Sequence, residues 1–188
     1  MSNVSFADLG LAEPLLRALD AAKYTVPTPI QERTIPLLLQ GRDVLGIAQT
    51  GTGKTAAFAL PILHRILENR IRPQPKSCRV LVLSPTRELS GQILDSFNAY
   101  GRHIRLSSAL AIGGVPMGRQ VRSVMQGVEV MVATPGRLLD LVQSNGLKLE
   151  RVFKKVDGGW NIRVLNALTF GYLKNTLYLH YVVRARIV

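Results

Sequence analysis

Apolar and polar positions alternate along this chain in two different periods from residue 43 onward. Short apolar runs lie at 43–49, 79–85, 105–114 and 128–135, and stretches with helical spacing lie at 54–69, 88–100, 117–127 and 136–145. This alternation of strand and helix patterns is typical of a parallel sheet with crossover helices. The segments VLVL and VEVMVA are almost continuously apolar, which indicates strands covered on both faces. The pattern therefore predicts an α/β fold whose chemistry lies at the carboxyl ends of the strands.

Two further helices are predicted ahead of this alternating region. LAEPLLRALDAAKY and VPTPIQERTIPLLLQG both have helical spacing, and Gly41 lies at the expected end of the second. The chain has 188 residues, 47% of them hydrophobic, which suffices for one compact domain with a core. We expect an N-terminal extension at 1–42 beside a sheet domain at 43–152, and a separate tail at 153–188.

Charge and cysteine content narrow the classes of function. The formal net charge is +12, and a chain this basic usually binds a polyanion, although a merely solvated basic face is the alternative. Cys78 is the only cysteine, so an internal disulfide is excluded and a reducing cytoplasm is the expected compartment. No secretory signal pattern is visible, and no apolar run reaches the roughly 18 residues of a membrane span.

The segment AQTGTGKT lies between a predicted strand and a predicted helix, which is the context of a phosphate-binding loop. Gly51 and Gly53 let successive backbone amides face a polyphosphate, Lys54 reaches the β- and γ-phosphates, and the Thr55 hydroxyl can ligate Mg²⁺. A chance glycine turn is the alternative, and the flanking elements disfavour it. We call residues 48–55 the phosphate loop; its predicted nucleotide-binding residues are Ala48, Gln49, Thr50, Gly51, Thr52, Gly53, Lys54 and Thr55.

The base of the nucleotide is predicted to contact Gln31 in the segment PTPIQ. A side-chain amide offers both a donor and an acceptor, which suits the edge of adenine. Taken by itself, however, a glutamine at this position would be an ordinary helix residue.

Five segments in this order resemble the DEAD-box ATP-dependent RNA helicases. KYTVPTPIQ resembles that family's Q motif, with Phe6 at the upstream spacing of an aromatic that stacks on adenine, although Lys23 stands where the family usually has glycine. The phosphate loop resembles motif I, PTREL motif Ia, Gly113 and Gly114 the GG element, and TPGR motif Ib. The resemblance extends from about residue 4 to 152 and is nearest to the bacterial RhlE type. It implies the first RecA-like domain of such an enzyme.

The resemblance also implies that single-stranded RNA is the polyanion. PTREL and TPGR lie where predicted strands end and helices begin, so backbone amides and arginines should meet RNA phosphates there. Such contacts predict little sequence preference and a steep loss of affinity with salt. The alternative to RNA binding is a purely structural role for each segment. Arg87 would then form a surface salt bridge with Glu88 or Asp95, TPGR would be a turn and helix start, and Gly113–Gly114 would be a loop. The candidate RNA-binding residues are Pro85, Thr86, Arg87, Glu88, Gly113, Gly114, Thr134, Pro135, Gly136 and Arg137.

The composition changes after Glu150. All ten prolines lie before this point, and Asp157 is the only acid beyond it. In the family that the chain resembles, the D-E-A-D motif supplies the acids that bind Mg²⁺ and orient water. This motif should follow soon after LERV, but the chain reads FKKVDGGW. Asp157 falls near the expected position, yet two lysines interrupt the strand and Gly158 replaces the second acid. The S-A-T motif and the second RecA-like domain are also missing, so no catalytic residue is assigned.

Two hypotheses account for this tail. A reading-frame change near Phe153 would explain its composition. A genuine truncated protein is the alternative, in which the tail covers an exposed sheet edge, since TLYLHYVVRARIV alternates enough to form a strand.

The leading functional interpretation is an ATP-dependent RNA helicase of which this chain carries the ATP-binding half without the hydrolysis motif. The alternative is a truncated module that binds nucleotide and RNA without turnover. An unrelated P-loop kinase or transporter ATPase would explain AQTGTGKT, but it would not explain PTPIQ, PTREL and TPGR together.

Overall fold

The computed structural model of the chain describes residues 4–148 and 183–185. In chain order, the elements are a 3-10 helix Ala7–Leu9, α1 Glu13–Ala21, α2 Pro29–Leu39, α3 Lys54–Glu68, β1 Cys78–Leu83, α4 Arg87–Tyr100, β2 Ser108–Ala111, α5 Met117–Val124, β3 Val128–Ala133, α6 Pro135–Gln143 and β4 Val183–Ala185. The predicted helices of the N-terminal extension are confirmed as α1 and α2. Helices α3 to α6 and strands β1 to β3 likewise match the segments that periodicity predicted, although β1, α4 and α6 each begin one residue earlier.

The described strands form one sheet in the order β2-β3-β1-β4. Strands β1, β2 and β3 are parallel, with Val80 opposite Val130 and Ala109 opposite Met131. The parallel strands are connected by helices and form an α/β domain, which confirms the predicted fold class. Strand β4 pairs antiparallel with β1. It lies within the alternating segment of the tail, so this short part of the tail does cover an edge of β1.

Side chains cover both faces of the sheet. On one face, Val130 and Val132 of β3 pack in a core that includes Phe97, which is fully buried. On the other face, Met131 and Leu141 belong to a second buried cluster. The alternation along β3 thus feeds two cores, as the continuous apolar run predicted. None of the helices in 4–148 has the length and apolarity needed to cross a membrane.

The strand predicted at 43–49 is not formed, and this prediction is wrong. Residues 43–49 have no helix or strand assignment, and Leu45 and Ile47 are 72% and 69% exposed. A strand requires a hydrogen-bonded neighbour, however apolar its sequence. Both edges of β1 are taken by β3 and β4, and no other described strand lies beside 43–49. An apolar run therefore leads into the phosphate loop without becoming part of the described sheet.

Lys23 lies two residues after the end of α1 and has a left-handed backbone conformation, with φ 60°. A side chain in this region costs roughly 1–2 kcal/mol, whereas glycine adopts it freely but loses more entropy on folding. We expect Lys23→Gly to raise the free energy of unfolding by about 0.5–1 kcal/mol, as measured by urea unfolding. Lys23→Ala keeps the Cβ and is the matched control, so it should change that energy by less than about 0.5 kcal/mol. A glycine variant less stable than the alanine variant would contradict this account.

Candidate nucleotide and RNA site

The phosphate loop ends at the first turn of α3, a helix of 15 residues. Gly51 has φ 81° and Gly53, the N-cap residue, has φ 82°, both in the left-handed region. The first amides of a helix have no partner within the helix and carry its positive dipole end. The turn that these two glycines permit thus brings the loop to a helix terminus suited to an anion.

Lys54 supplies the charge of the phosphate loop. Its ammonium Nζ donates to the Ala48 carbonyl oxygen and, at 2.7 Å, to the Gln49 carbonyl oxygen. The Thr52 hydroxyl donates to the same Gln49 oxygen at 2.8 Å. The lysine therefore lies over its own loop, where a bound polyphosphate would meet it. Thr55, the predicted Mg²⁺ ligand, follows it and is half-buried.

The Q-motif segment is hydrogen-bonded directly to the phosphate loop. Gln31 is 2% exposed; its Oε1 accepts from the Thr28 amide at 2.9 Å and its Nε2 donates to the Gly53 carbonyl oxygen at 3.1 Å. The Thr28 hydroxyl donates to the Thr52 carbonyl oxygen at 2.9 Å. Gln31 is also half of a capping box that starts α2. One side chain therefore fixes the start of α2 and the N-cap of α3 together.

Recognition of adenine by Gln31 and Phe6 stays a prediction. The Gln31 amide nitrogen carries two hydrogens, and its bond to Gly53 uses one of them. Phe6 is 4% exposed and belongs to the core cluster that also contains residues of α3. Stacking on a base thus requires the Phe6 ring to leave part of this packing.

The three segments predicted to bind RNA meet at one edge of the sheet, which we call the carboxyl edge because β1, β2 and β3 all end there. The Ser84 amide donates to the Ala133 carbonyl oxygen and the Thr134 amide to the Ala111 carbonyl oxygen, both at 2.9 Å. The three strand ends are therefore laterally adjacent. Parallel pairing brings together residues that are far apart in sequence, as the position of PTREL and TPGR at predicted strand ends indicated.

Arg87, the first residue of α4, lies against the GG element. A Cβ built on Gly114 would be 2.5 Å from its Nη1, and one built on Gly113 would be 3.0 Å from its Nη2. A side chain at either glycine would require the guanidinium to shift. Arg87 is exposed and forms no ion pair with a carboxylate among the described residues, so the predicted alternative pairing with Glu88 or Asp95 is not observed.

Arg137, by contrast, is directed inward. Its side chain is 12% exposed, its Nη1 donates to the Val115 carbonyl oxygen at 2.7 Å and its Nε lies 3.4 Å from an oxygen of Asp140.

The remaining candidate RNA-binding residues lie at the starts of α4 and α6. Thr86 is the N-cap of α4, with its hydroxyl accepting from the Leu89 amide at 3.2 Å. Pro85, Glu88 and Gly136 are exposed, and Thr134 and Pro135 are half-buried at the start of α6.

The comparison with known proteins decides the family. The model of the DEAD/DEAH box helicase family matches residues 28–157. The chain belongs to this helicase family. It is 54% identical over 146 residues to the ATP-dependent rRNA helicase RRP3 of Pyricularia oryzae, which covers 77% of this chain and 26% of that protein. It is 46% identical over 149 residues to the ATP-dependent RNA helicase DeaD of Escherichia coli, which covers 79% and 23%.

The recognition of a DEAD-box RNA helicase from its motifs is thus confirmed, while the RhlE type and the division at 42 and 152 stay predictions. This helicase chain spans about a quarter of the length of the relatives it matches. Asp157 lies at the end of the family match but outside the described residues.

The helicase chain offers few protein ligands for Mg²⁺. Within 4–148 and 183–185, no group of three His, Cys, Asp or Glu residues is placed to hold a metal ion. The left-handed turns at Gly51 and Gly53 and the Lys54 ammonium suit a polyphosphate, and a hydroxyl such as that of Thr55 is a chemically suitable ligand for a Mg²⁺ bound to its phosphates. Burial raises the pKa of the Cys78 thiol to about 11, so this residue stays protonated and is a poor nucleophile.

One residue at the carboxyl edge was missed by sequence reasoning. Gln120 of α5 is 5% exposed, and its Nε2 donates to the Ile112 carbonyl oxygen at 2.8 Å. The signal available in the sequence was a polar residue at helical spacing among Met117, Val121 and Val124, on the face that α5 buries. That signal identifies a buried amide, but it does not indicate the carbonyl oxygen that the amide binds.

Proposed function

We propose that this DEAD-box chain binds ATP with Mg²⁺ at the phosphate loop and the backbone of single-stranded RNA at the carboxyl edge. Its role would be that of the nucleotide-binding half of an ATP-dependent RNA helicase. The observation that carries this proposal is the phosphate loop at the start of α3, joined to the Q-motif segment by the bond from Gln31 to Gly53. Family membership and the names of the relatives support RNA as the partner.

In this proposal the residues of the phosphate loop divide the work on the nucleotide. Backbone amides at the start of α3 and the Lys54 ammonium hold the β- and γ-phosphates, and the Thr55 hydroxyl ligates the cation. Mg²⁺, when bound, neutralises phosphate charge. Gln31, and Phe6 if its ring becomes accessible, contact the adenine. The bond between Gln31 and Gly53 makes the positions of base and phosphates interdependent.

RNA binding at the carboxyl edge rests on donors of the PTREL and TPGR segments. Arg87 is the exposed cation, and the N-terminal amides of α4 and α6 point in the direction of the same edge. Contacts of this kind recognise phosphates and sugars rather than base identity. We therefore propose RNA binding without strong sequence preference, in a reducing cytoplasm as the single cysteine suggests.

Hydrolysis is not part of the proposal for this chain by itself. Its sequence contains neither a D-E-A-D nor an S-A-T segment, and Asp157 is the only acid after Glu150. Without an acidic group to hold the cation and orient water, bound ATP lacks the groups that hydrolysis requires. The chain then acts as a nucleotide- and RNA-binding module, and strand separation belongs to family proteins that have these motifs.

The test uses the purified chain with a fluorescent ATP analogue, labelled single-stranded RNA and a phosphate-release assay. We expect nucleotide binding that requires Mg²⁺, RNA binding that weakens steeply with salt, and no phosphate release above that of Lys54→Ala, with or without RNA. RNA-stimulated hydrolysis that Lys54→Ala abolishes would contradict the absence of turnover. If neither nucleotide nor RNA binds, the proposed function is wrong.

A further inference from the structure

The GG loop, residues 112–115, leaves β2 and leads into α5. Its two ends are held by side chains from different helices. Gln120 of α5 donates to the Ile112 carbonyl oxygen at 2.8 Å, and Arg137 of α6 donates to the Val115 carbonyl oxygen at 2.7 Å. Gly114 lies between these two carbonyl groups with φ 79°. The left-handed turn is therefore fixed on both sides.

Gln120 lowers the stability of the folded chain relative to an apolar residue at this position. It is 5% exposed, and its Oε1 has no hydrogen-bond partner in the described structure, whereas its Nε2 binds Ile112. A half-satisfied buried amide costs more free energy than an apolar side chain of similar volume. Stability of α5 alone does not explain a glutamine here. The geometry that it imposes on the GG loop does.

Arg137 is directed into the protein and makes one hydrogen bond there, while its buried Nε has no hydrogen-bond partner among the described residues. Its side chain is 12% exposed, with Nη1 on Val115 and Nε beside the Asp140 carboxylate. Arg87 is the opposite case, since it is exposed and has no ion pair with a described carboxylate. Its guanidinium lies next to Gly113 and Gly114, so a shift of the loop towards it would displace it. The orientation of Arg87 thus depends on the loop that Gln120 and Arg137 hold.

We propose that Gln120 and Arg137 are positioning residues that clamp the GG loop and thereby orient Arg87, the cation already assigned to the proposed RNA site. This inference rests on the proposed RNA-binding function. It changes the expected role of Arg137, which the TPGR motif alone suggested as a phosphate ligand. It also adds Gln120, which no motif indicated.

Salt dependence separates a clamp from a phosphate ligand. The logarithm of RNA affinity falls with the logarithm of salt concentration with a slope of about −0.7 for each phosphate neutralised on a single strand. Affinity for a labelled oligouridylate is measured over a salt series for the wild-type chain, Arg87→Gln, Arg137→Gln and Gln120→Met. Arg105→Gln is the matched control, because this exposed arginine precedes β2 and lies at the opposite edge of the sheet.

Arg87→Gln should weaken binding and make the slope shallower by about 0.7. Gln120→Met and Arg137→Gln should each weaken binding by about five- to tenfold, the effect of one lost hydrogen bond, with the slope unchanged. In both clamp variants, amide hydrogen exchange at residues 112–115 should be faster, while affinity for the ATP analogue stays at the wild-type value. Arg105→Gln should change neither affinity nor slope to the extent that Arg87→Gln does.

An Arg137→Gln slope reduced as much as that of Arg87→Gln would overturn the assignment, since Arg137 would then be a phosphate ligand. An unchanged RNA affinity in Gln120→Met would overturn the clamp. If Gln120→Met does not fold, Gly114→Ala decides, because it disturbs the same loop without removing charge and should also weaken binding at constant slope. Failure of the wild-type chain to bind RNA at any salt concentration would instead overturn the proposed function itself.

Discussion

Lys54→Ala is expected to weaken binding of ATP by about 100-fold, or about 2.7 kcal/mol. Lys54 is the only charged residue of the phosphate loop, and its ammonium lies over the loop, in contact with the Ala48 and Gln49 carbonyl oxygens. The substitution removes both the charge that faces the phosphates and a cross-brace of the loop. Hydrogen bonds to a charged group contribute about 1.5–3 kcal/mol each, which sets the size of the effect.

Titration with a fluorescent ATP analogue measures this change, and thermal unfolding shows whether the variant is folded. Lys148→Ala is the matched control, since it removes the same charge from an exposed position outside the phosphate loop and should leave the affinity within about twofold. If Lys54→Ala binds the analogue as tightly as the control, the phosphates are not held at residues 48–55.

Gly53→Ala is expected to have the second-largest effect, because it disturbs the phosphate loop and the Q-motif segment together. The added Cβ would overlap the Gln31 amide nitrogen, and the left-handed φ of 82° strains any side chain by roughly 1–2 kcal/mol. Displacing the amide also breaks its bond to the Gly53 carbonyl oxygen. We expect a loss of about 2–4 kcal/mol in the free energy of unfolding, and ATP affinity about 30-fold weaker.

Gly51→Ala isolates the part of this effect that comes from Gln31. Gly51 has nearly the same φ, 81°, but nothing lies within 4 Å of its added Cβ. Its variant should therefore show only the backbone strain, about 1–2 kcal/mol. The double variant Gln31→Ala, Gly53→Ala should recover part of the stability lost in Gly53→Ala, since the overlap is gone. Equal urea-unfolding energies for the two single glycine variants would show that the Gln31 contact is unimportant.

Periodicity predicted most of the fold because the signals for these elements are local. The apolar run around Val80 and the helical spacing of apolar residues in α4 are properties of a few consecutive residues. The segment 43–49 has an equally apolar sequence, yet it forms no strand. Whether a run becomes a strand depends on a partner that the run itself does not specify. Strand pairing is a tertiary property. Sequence periodicity shows that a segment could form a strand, but it does not show whether a partner strand lies beside it.

Prediction of the site reached residue types but not their partners. The position of PTREL and TPGR after predicted strands correctly brought both to one edge, because parallel strands end on the same side, and the structure adds Gly113–Gly114 to that edge. The inward direction of Arg137 could not be predicted in this way, since an arginine suits a carbonyl oxygen as well as a phosphate. Burial of Phe6 was likewise invisible, because spacing does not show which side of an aromatic ring is covered.

The carboxyl edge is assembled from three segments that are separated by two crossover connections. A ligand that binds this edge contacts all three only when β1, β2 and β3 are paired, so the unfolded chain cannot bind it in the same way. RNA bound there, as proposed, would act as a reversible cross-link of the folded state. At a concentration of 100 times its Kd, such a ligand adds about 2.7 kcal/mol to the free energy of unfolding. A ligand of the carboxyl edge would thereby also contribute to the stability of the sheet.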